Sequence, residues 1–200
     1  MIRKLILSSG NKNKIQEIKD ILKELDLEVV SKDELGFAEF DVVEDADTLE
    51  GNAFKKAKEL SKLVDGIVLA DDTGLFVDAL NGEPGVRSAR YSGEDTNYQR
   101  NNELLLKNLD GVPTEKRTAH FKTVMALVLE NGETLKAEGV CNGKIGFVQH
   151  GENGFGYDPL FVVDGLNKTF AQMSKEEKNK LSHRAKALQN LKKVLEKELG

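Results

Sequence analysis

The sequence predicts an α/β protein built on a mixed β-sheet flanked by helices, and three observations predict it. An apolar, strand-like run near the start passes through a short polar loop into a segment with helical periodicity. Farther on, two strand-like runs flank Asn131-Gly132, the dipeptide that marks an antiparallel hairpin. Parallel and antiparallel signals in one chain argue against the purely parallel sheet of a dinucleotide-binding fold.

Composition sets the outer limits. A chain of 200 residues can bury a substantial core as one unit or divide into two closely packed lobes. No internal repeat, low-complexity tract or linker interrupts it, so residues 1–200 are expected to form a single domain. Charged residues at 32% and hydrophobic ones at 39% describe a soluble globular protein. A net charge of −5 argues against broad binding to nucleic acid or anionic membrane, although 29 Lys and Arg leave room for a local basic pocket. One cysteine excludes an internal disulfide framework, and three histidines make a His-rich metal site a poor expectation. Neither a signal peptide nor a membrane-length apolar run is legible, so the cytoplasm is the expected compartment.

Arg3 to Ser8 reads as the opening strand, and Ile15, Ile18, Ile21, Leu22 and Leu25 form the stripe of the following helix. Between them lies Ser9-Gly10-Asn11-Lys12-Asn13-Lys14. A loop at a helix N-terminus favours an anion through its N–H groups and dipole, and Lys12 or Lys14 adds formal charge. It lacks the G-x-x-x-x-G-K-[ST] spelling of a Walker loop and fits an ordinary strand-to-helix connection equally well. Glu28 to Val30 reads as a second strand. The acidic stretch after it (Glu39, Asp41, Glu44, Asp45, Asp47) is either a solvated face or the source of a metal ligand. Thr48 is placed to cap a helix whose apolar face carries Leu49, Ala53, Ala57 and Leu60. Asn52 and Lys56 share another face, as a phosphate-binding pair or as ordinary surface residues.

Ile67 to Ala70 reads as a buried strand that stops at Asp71 and Asp72, with Thr73 and Gly74 in the loop beyond. Open α/β sheets place their chemistry beyond strand ends. Adjacent aspartates at such a mouth repel each other and pay for desolvation unless a cation sits between them and the ligand. They are therefore the candidate hard-metal site.

Turns are marked by Asn81-Gly82 and Pro84-Gly85, and Arg87 and Arg90 follow as neutralising or anion-binding groups. Asn97 to Leu109 reads as a helix with Leu104, Leu105 and Leu109 apolar. Three strands are expected next: Thr118 to Leu129, Glu133 to Val140, and Lys144 to Val148. The glycine-rich stretch Gly151 to Pro159 lets backbone approach a ligand, with Phe155 and Tyr157 offering rings for a base, or it is a plain hairpin. Leu160 to Val163 is a further strand. Ser174 and Glu177 spell a capping box, and Leu181, Leu188, Leu191 and Leu195 continue a helical stripe. Lys178 and His183 sit about 140° apart on one ideal helix, so a fresh start at Ser182 is needed to bring Lys178, His183 and Arg184 together.

Taken together, Ser9 to Lys14, Thr48 to Ala57, Ala70 to Leu75, Pro84-Gly85 through Ser88 to Gly93, Gly154 to Pro159 and Ser182-His183-Arg184 resemble one family in order and spacing. It is the family of nucleoside-triphosphate pyrophosphatases that clear non-standard purine nucleotides, the inosine and xanthosine triphosphate pyrophosphatases. The resemblance covers nearly the whole chain. It implies an elongated mixed sheet with two lobes and a central substrate cleft, usually in a homodimer, and Mg²⁺-dependent hydrolysis between the α- and β-phosphates. It also implies roles. Ser9, Gly10, Asn11, Lys12, Asn13, Lys14 and Lys56 would hold phosphates. Glu44 and Asp72 would hold Mg²⁺, with Asp72 as proton acceptor and Asp71 in support. Thr73, Phe155, Gly156, Tyr157, Asp158, Lys178, His183 and Arg184 would bind the nucleotide, the last three around the base. Three positions depart from the family pattern: Gly51 stands where Glu is common, Thr73 replaces Ser, and Asn153 replaces Gly. A sister enzyme for modified pyrimidine or methylated nucleotides, and a nucleotide-binding module without turnover, are the alternative readings.

Overall fold

A computed structural model describes residues 3–23 and 25–199. In chain order the elements are β1 (Arg3–Leu7), α1 (Lys12–Leu22), β2 (Leu27–Ser31), α2 (Leu49–Ser61), β3 (Ile67–Val77) and β4 (Pro84–Gly85). Then follow α3 (Tyr98–Asn108), β5 (Thr118–Val128), β6 (Thr134–Ile145), β7 (Phe161–Val163), α4 (Lys175–Leu181) and α5 (His183–Leu199). The fold is α/β, with a mixed sheet in the order β2-β1-β3-β5-β6-β7 and β4 paired to β3. No described helix is long and apolar enough to cross a membrane.

By its contacts the chain forms two compact units. The first takes the chain up to Asp72, Thr123–Gly139 and the segment from Arg184 onward; the second takes Thr73–Lys122 and Val140–His183.

In the first unit β1 is parallel to β2 (Leu5 opposite Val29) and to β3 (Leu5 opposite Ile67). Parallel neighbours need crossovers, and α1 and α2 supply them. The predicted stripe of α1 buries Ile18 and Leu22 against Leu5, Leu7, Ile67 and Leu69, with Leu188, Leu191 and Leu195 of α5 in the same cluster. Asn11 caps α1 by accepting from the Asn13 and Lys14 N–H groups. Thr48 caps α2 as predicted, accepting from Gly51 N at 3.0 Å. A side chain at position 51 would bring its Cβ to 2.7 Å from Ala46 Cβ, so a larger residue does not fit this turn.

The second unit gathers Leu75, Val77, Leu105, Leu109, Phe121, Tyr157, Leu160, Phe161 and Phe170 into its own core. β3 pairs antiparallel with β4 (Leu75 opposite Gly85), and β6 with β7 (Lys144 opposite Val162). Arg117, 2% exposed, cross-braces this unit. Its guanidinium donates to the carbonyls of Ile145, Leu109 and Gly146 at 2.9 Å and of Val112 at 3.3 Å.

Two expectations are corrected. The run at Ile67 does not stop at Asp71; β3 continues to Val77, because Leu75 and Val77 each bury at 0% and carry the strand on into the second core. The separate strands predicted at Glu133 to Val140 and Lys144 to Val148 are one strand, β6, which ends at Ile145. Asn142-Gly143 between them mimics a turn signal but sits inside the ladder, with Gly143 opposite Val163. The predicted hairpin turn holds: Leu129 N donates to Glu133 O at 2.8 Å and Gly132 adopts φ 84°.

Replacing Arg117 with Met keeps the apolar stem and removes its hydrogen bonds to four carbonyls, two of them buried and two part-buried. We expect a stability loss of about 3 kcal/mol in urea denaturation, since each unsatisfied buried group costs on the order of 1 kcal/mol or more.

Candidate active site

Asp71 and Asp72 lie inside β3 and are 3% and 6% exposed. Successive strand residues face opposite ways, and the partners follow that alternation. Asp71 meets α1 and α5: its Oδ2 is 3.0 Å from Lys14 Nζ and 3.7 Å from Arg184 Nε. Asp72 meets α2: its Oδ2 accepts from Asn52 Nδ2 at 3.3 Å, and its Oδ1 is 3.9 Å from Lys56 Nζ. The nearest cation thus differs between the two carboxylates, Lys14 for Asp71 and Lys56 for Asp72, although both ammoniums act on each of them.

Their electrostatics differ in sign. Burial alone would raise Asp71, but the charges of Lys14, Arg184 and Lys56 override it and hold the carboxyl well below the usual range. For Asp72 burial is also the largest influence; Lys56 and Lys14 oppose it, Glu44 and Asp71 reinforce it, and the group ends above its usual value of 3.8. Burial pulls the Lys56 ammonium down, yet Asp72, Glu44 and Asp71 more than offset this and hold it firmly charged.

Asn52 and Lys56 share one face of α2, as their spacing predicted, and that face serves the carboxylates. Asn52 is fully buried; its Oδ1 accepts from Ala46 N at 3.0 Å, tying the acidic loop to the strand. Lys56 Nζ donates to Glu44 Oε1 at 3.1 Å. Of the acidic stretch, Glu44 is thus brought to the Asp72 side, whereas Asp45 pairs with Lys55. Glu50, another carboxylate near the Gly51 position, is spent on Lys136 at 2.8 Å.

Among the described residues no group of three or more His, Cys, Asp and Glu side chains is gathered to hold a metal. Glu44 and Asp72 both border the Lys56 ammonium, while the Asp71 oxygen is given to Lys14 and Arg184. Two carboxylates bordering a cation position fit Mg²⁺, which takes one or two carboxylates and completes its shell with phosphate oxygens and water.

In the loop before α1, Ser9 Oγ accepts from Asn11 N at 3.2 Å. Asn11 Oδ1 accepts from Asn13 N and Lys14 N, so those two N–H groups are already capped. Gly10, Lys12 and Asn13 are exposed, and only Lys14 turns inward, to Asp71.

The second unit holds the other predicted residues. Lys178 is 5% exposed; its ammonium lies 2.7 Å from Asp158 Oδ2 and 5.0 Å and 5.5 Å from the ring centres of Phe155 and Phe170. Asp158 Oδ2 also accepts from Phe155 N at 2.9 Å, and a Cβ at Gly154, whose φ is 76°, would collide with that carboxylate. Tyr157 is buried and donates its hydroxyl to Ser88 O at 2.7 Å. It is a brace for the loop, and Phe155 is the ring left part-exposed. Asn153 does not need a left-handed backbone; its amide donates to Met173 O at 3.0 Å. Thr73 lies part-buried in β3.

The helix breaks at Ser182 (ψ 160°), as the spacing of Lys178 and His183 required. His183 stacks on Phe121 with ring centres 4.6 Å apart. Arg184, 1% exposed, is held by Glu17 and Asp71 and so belongs with the carboxylates of the first unit. Sequence reasoning missed Glu17, although it lies three residues after Lys14 on the same helical face. It also missed Asn101 and Asn102 on α3. Asn101 donates to Ala89 O at 3.0 Å and Asn102 to Gly156 O at 3.0 Å.

Comparison with known proteins shows the family to which the chain belongs. The model of the Ham1 family matches residues 5–194. A dITP/XTP pyrophosphatase from Thermoanaerobacter sp. (strain X514) is 53% identical over 98% of both chains. Among solved structures, the Staphylococcus aureus Ham1 protein superposes with a TM-score of 0.87 at 42% identity, covering 98% of this chain and 100% of that one. A HAM1 protein from Coxiella burnetii gives 0.88 at 36% identity, covering 98% and 99%.

The raised Asp72 makes a stability prediction. A carboxyl whose folded pKa exceeds its unfolded value costs stability as pH rises through the folded pKa, and costs nothing below the unfolded value. Asp72→Asn should therefore melt a few degrees higher than the parent at neutral pH. The gap should close below pH 3.8, where both carry a neutral group. A melting series across pH by differential scanning calorimetry checks it.

Proposed function

Because the chain belongs to the Ham1 family, we propose that it hydrolyses non-standard purine nucleoside triphosphates (dITP and ITP, XTP and dXTP) to the monophosphate and pyrophosphate. The observation that carries this reading is 53% identity, over nearly the full length of both chains, to a relative named dITP/XTP pyrophosphatase. The buried arrangement around Asp72 supplies chemistry suited to it.

Cleaving a phosphoanhydride calls for charge stabilisation on phosphate oxygens and for a placed, activated water. Lys14 and Lys56 carry the positive charge for the first task, with the loop from Ser9 to Lys14 as the phosphate cradle. Asp72 serves the second: its raised pKa makes it a stronger base than an ordinary aspartate, fit to orient the water and accept its proton. Glu44 and Asp72 would hold Mg²⁺, which when bound supplies further positive charge to the phosphate oxygens. Asp71 acts in support, by holding Lys14 and Arg184.

Phe155, Lys178 and their neighbours are assigned to the base. Phe155 offers a ring, and Thr73, Gly156, Tyr157 and Asp158 shape the surround. Lys178, with its ammonium fixed by Asp158, donates to a 6-oxo group, and His183 completes the aromatic wall. Adenine presents an amino donor where hypoxanthine and xanthine present an acceptor, and so would leave buried donors unmatched. Residues 1–200 act as one pyrophosphatase domain in this reading, as a cytoplasmic homodimer without nucleic-acid or membrane partners.

A panel of purine and pyrimidine triphosphates, assayed as pyrophosphate release with Mg²⁺, should rank ITP and XTP first. A preference for dTTP or UTP would point to the pyrimidine-directed sister activity, and tight binding without turnover to a binding module. Asp72→Asn, run in the same panel, should lose at least about a hundredfold in kcat. Lys178→Ala should lower the preference of ITP over ATP by about tenfold while leaving the Mg²⁺ requirement in place. The reverse pattern would move Lys178 away from the base.

A further inference from the structure

Lys14 and Glu17 stand three residues apart on α1 and share a face. Both reach a buried pair on other elements. Lys14 Nζ meets Asp71 Oδ2 on β3 at 3.0 Å, and Glu17 Oε2 pairs with Arg184 Nη1 at the start of α5. Arg184 Nε meets the same Asp71 oxygen at 3.7 Å. The charges alternate around a ring, Lys14, Asp71, Arg184, Glu17, which α1 itself closes. The inner pair is nearly sealed, with side-chain exposures of 2% for Asp71 and 1% for Arg184, while Lys14 and Glu17 each keep 17%.

We propose that Glu17 is a positioning residue for Lys14, acting through Arg184 and Asp71. The ring is balanced at two positive and two negative charges. Glu17 neutralises Arg184, so the guanidinium competes less for Asp71, which anchors the Lys14 ammonium at the mouth of the phosphate loop. Without the Glu17 charge, the Asp71 carboxylate faces Lys14 and Arg184, with Lys56 beyond them, and the ring has one counter-charge fewer. The guanidinium, rigid and sealed in place, keeps its share, and the lysine, with its flexible four-carbon stem, is the partner released. Arg184 has a second role in this scheme. When an incoming phosphate draws Lys14 away, Arg184 keeps Asp71 from being left as an unpaired buried charge, a state that would be strongly destabilising. Glu17 thus sets how well Lys14 is preorganised for the polyphosphate.

The kinetic side of this inference rests on the pyrophosphatase reading; the anchoring of Lys14 does not. The test therefore has two arms. In the free protein, amine acylation followed by mass spectrometry should show Lys14 labelled about threefold faster in Glu17→Gln than in the parent, with Lys12 unchanged, as expected when its hold by Asp71 is loosened. Glu17→Asp, which keeps the charge, should stay near the parent. In steady-state hydrolysis of the best triphosphate, Glu17→Gln should raise KM about fivefold with kcat within about twofold, the pattern of lost binding rather than lost chemistry. In a Lys14→Met background Glu17→Gln should have no further effect on KM, because the two act as one unit. Unchanged labelling, a falling KM, or an equal KM penalty in both backgrounds would overturn the proposal. Altered labelling in a protein with no triphosphate turnover would sustain the anchoring and overturn the pyrophosphatase reading instead.

Discussion

Two adjacent carboxylates buried in the middle of β3 are the constraint on which the first unit turns. Each desolvated charge costs several kcal/mol unless it is paired and hydrogen-bonded. The pleat sends them to opposite faces, so the nearest compensating groups differ and come from different helices. Lys14 arrives from α1 and Arg184 from α5 on the Asp71 side; Asn52 and Lys56 arrive from α2 on the Asp72 side. Neutralising the strand therefore fixes three helix starts and the acidic loop that Asn52 grips through Ala46.

The two sides are not compensated equally, and that inequality supports the different roles we propose for them. Asp71 has more positive charge around it than burial can cancel, and it stays ionised; such a group holds others in place. At Asp72 burial prevails over Lys56, with Glu44 and Asp71 adding repulsion, and the carboxylate is left basic. A proton acceptor belongs where the environment disfavours the charge, because there the group gains most by taking up a proton or a cation. The second unit uses the same physics differently. Lys178 is held by the Asp158 carboxylate, which also fixes the Phe155 backbone, so the position of the ammonium and the shape of the loop are linked. Arg117, by contrast, is satisfied by backbone carbonyls and serves the fold.

The departures from the family pattern acquire physical reasons in this light. Gly51 sits where a Cβ would strike Ala46, so this chain has no space there for the usual glutamate. The carboxylate beside Lys56 is Glu44, from the loop. Asn153 gives up nothing by not being glycine, because its backbone is ordinary and its side chain ties the loop to Met173.

What the sequence determined by itself is whatever depends on local spacing. The helical stripes of α1 and α2, the caps at Thr48 and Ser174, the Asn131-Gly132 hairpin and the break at Ser182 were legible because each is decided by residues within a turn or two. The order of its short stretches was enough to place the chain in its family. The length of β3 was not legible, since Asp-Asp-Thr-Gly is locally a strand terminator and only burial of Leu75 and Val77 carries it through. Nor was the union of two predicted strands in β6, where β7 pairs across Asn142-Gly143 and holds the apparent turn in the ladder. The partition of charges was the least visible of all. Which aspartate faces Lys14 and which Lys56, and that Arg184 answers to Glu17 167 positions away in the chain, depends on strand pleat and helix packing. Those are set only when separate segments bury against one another.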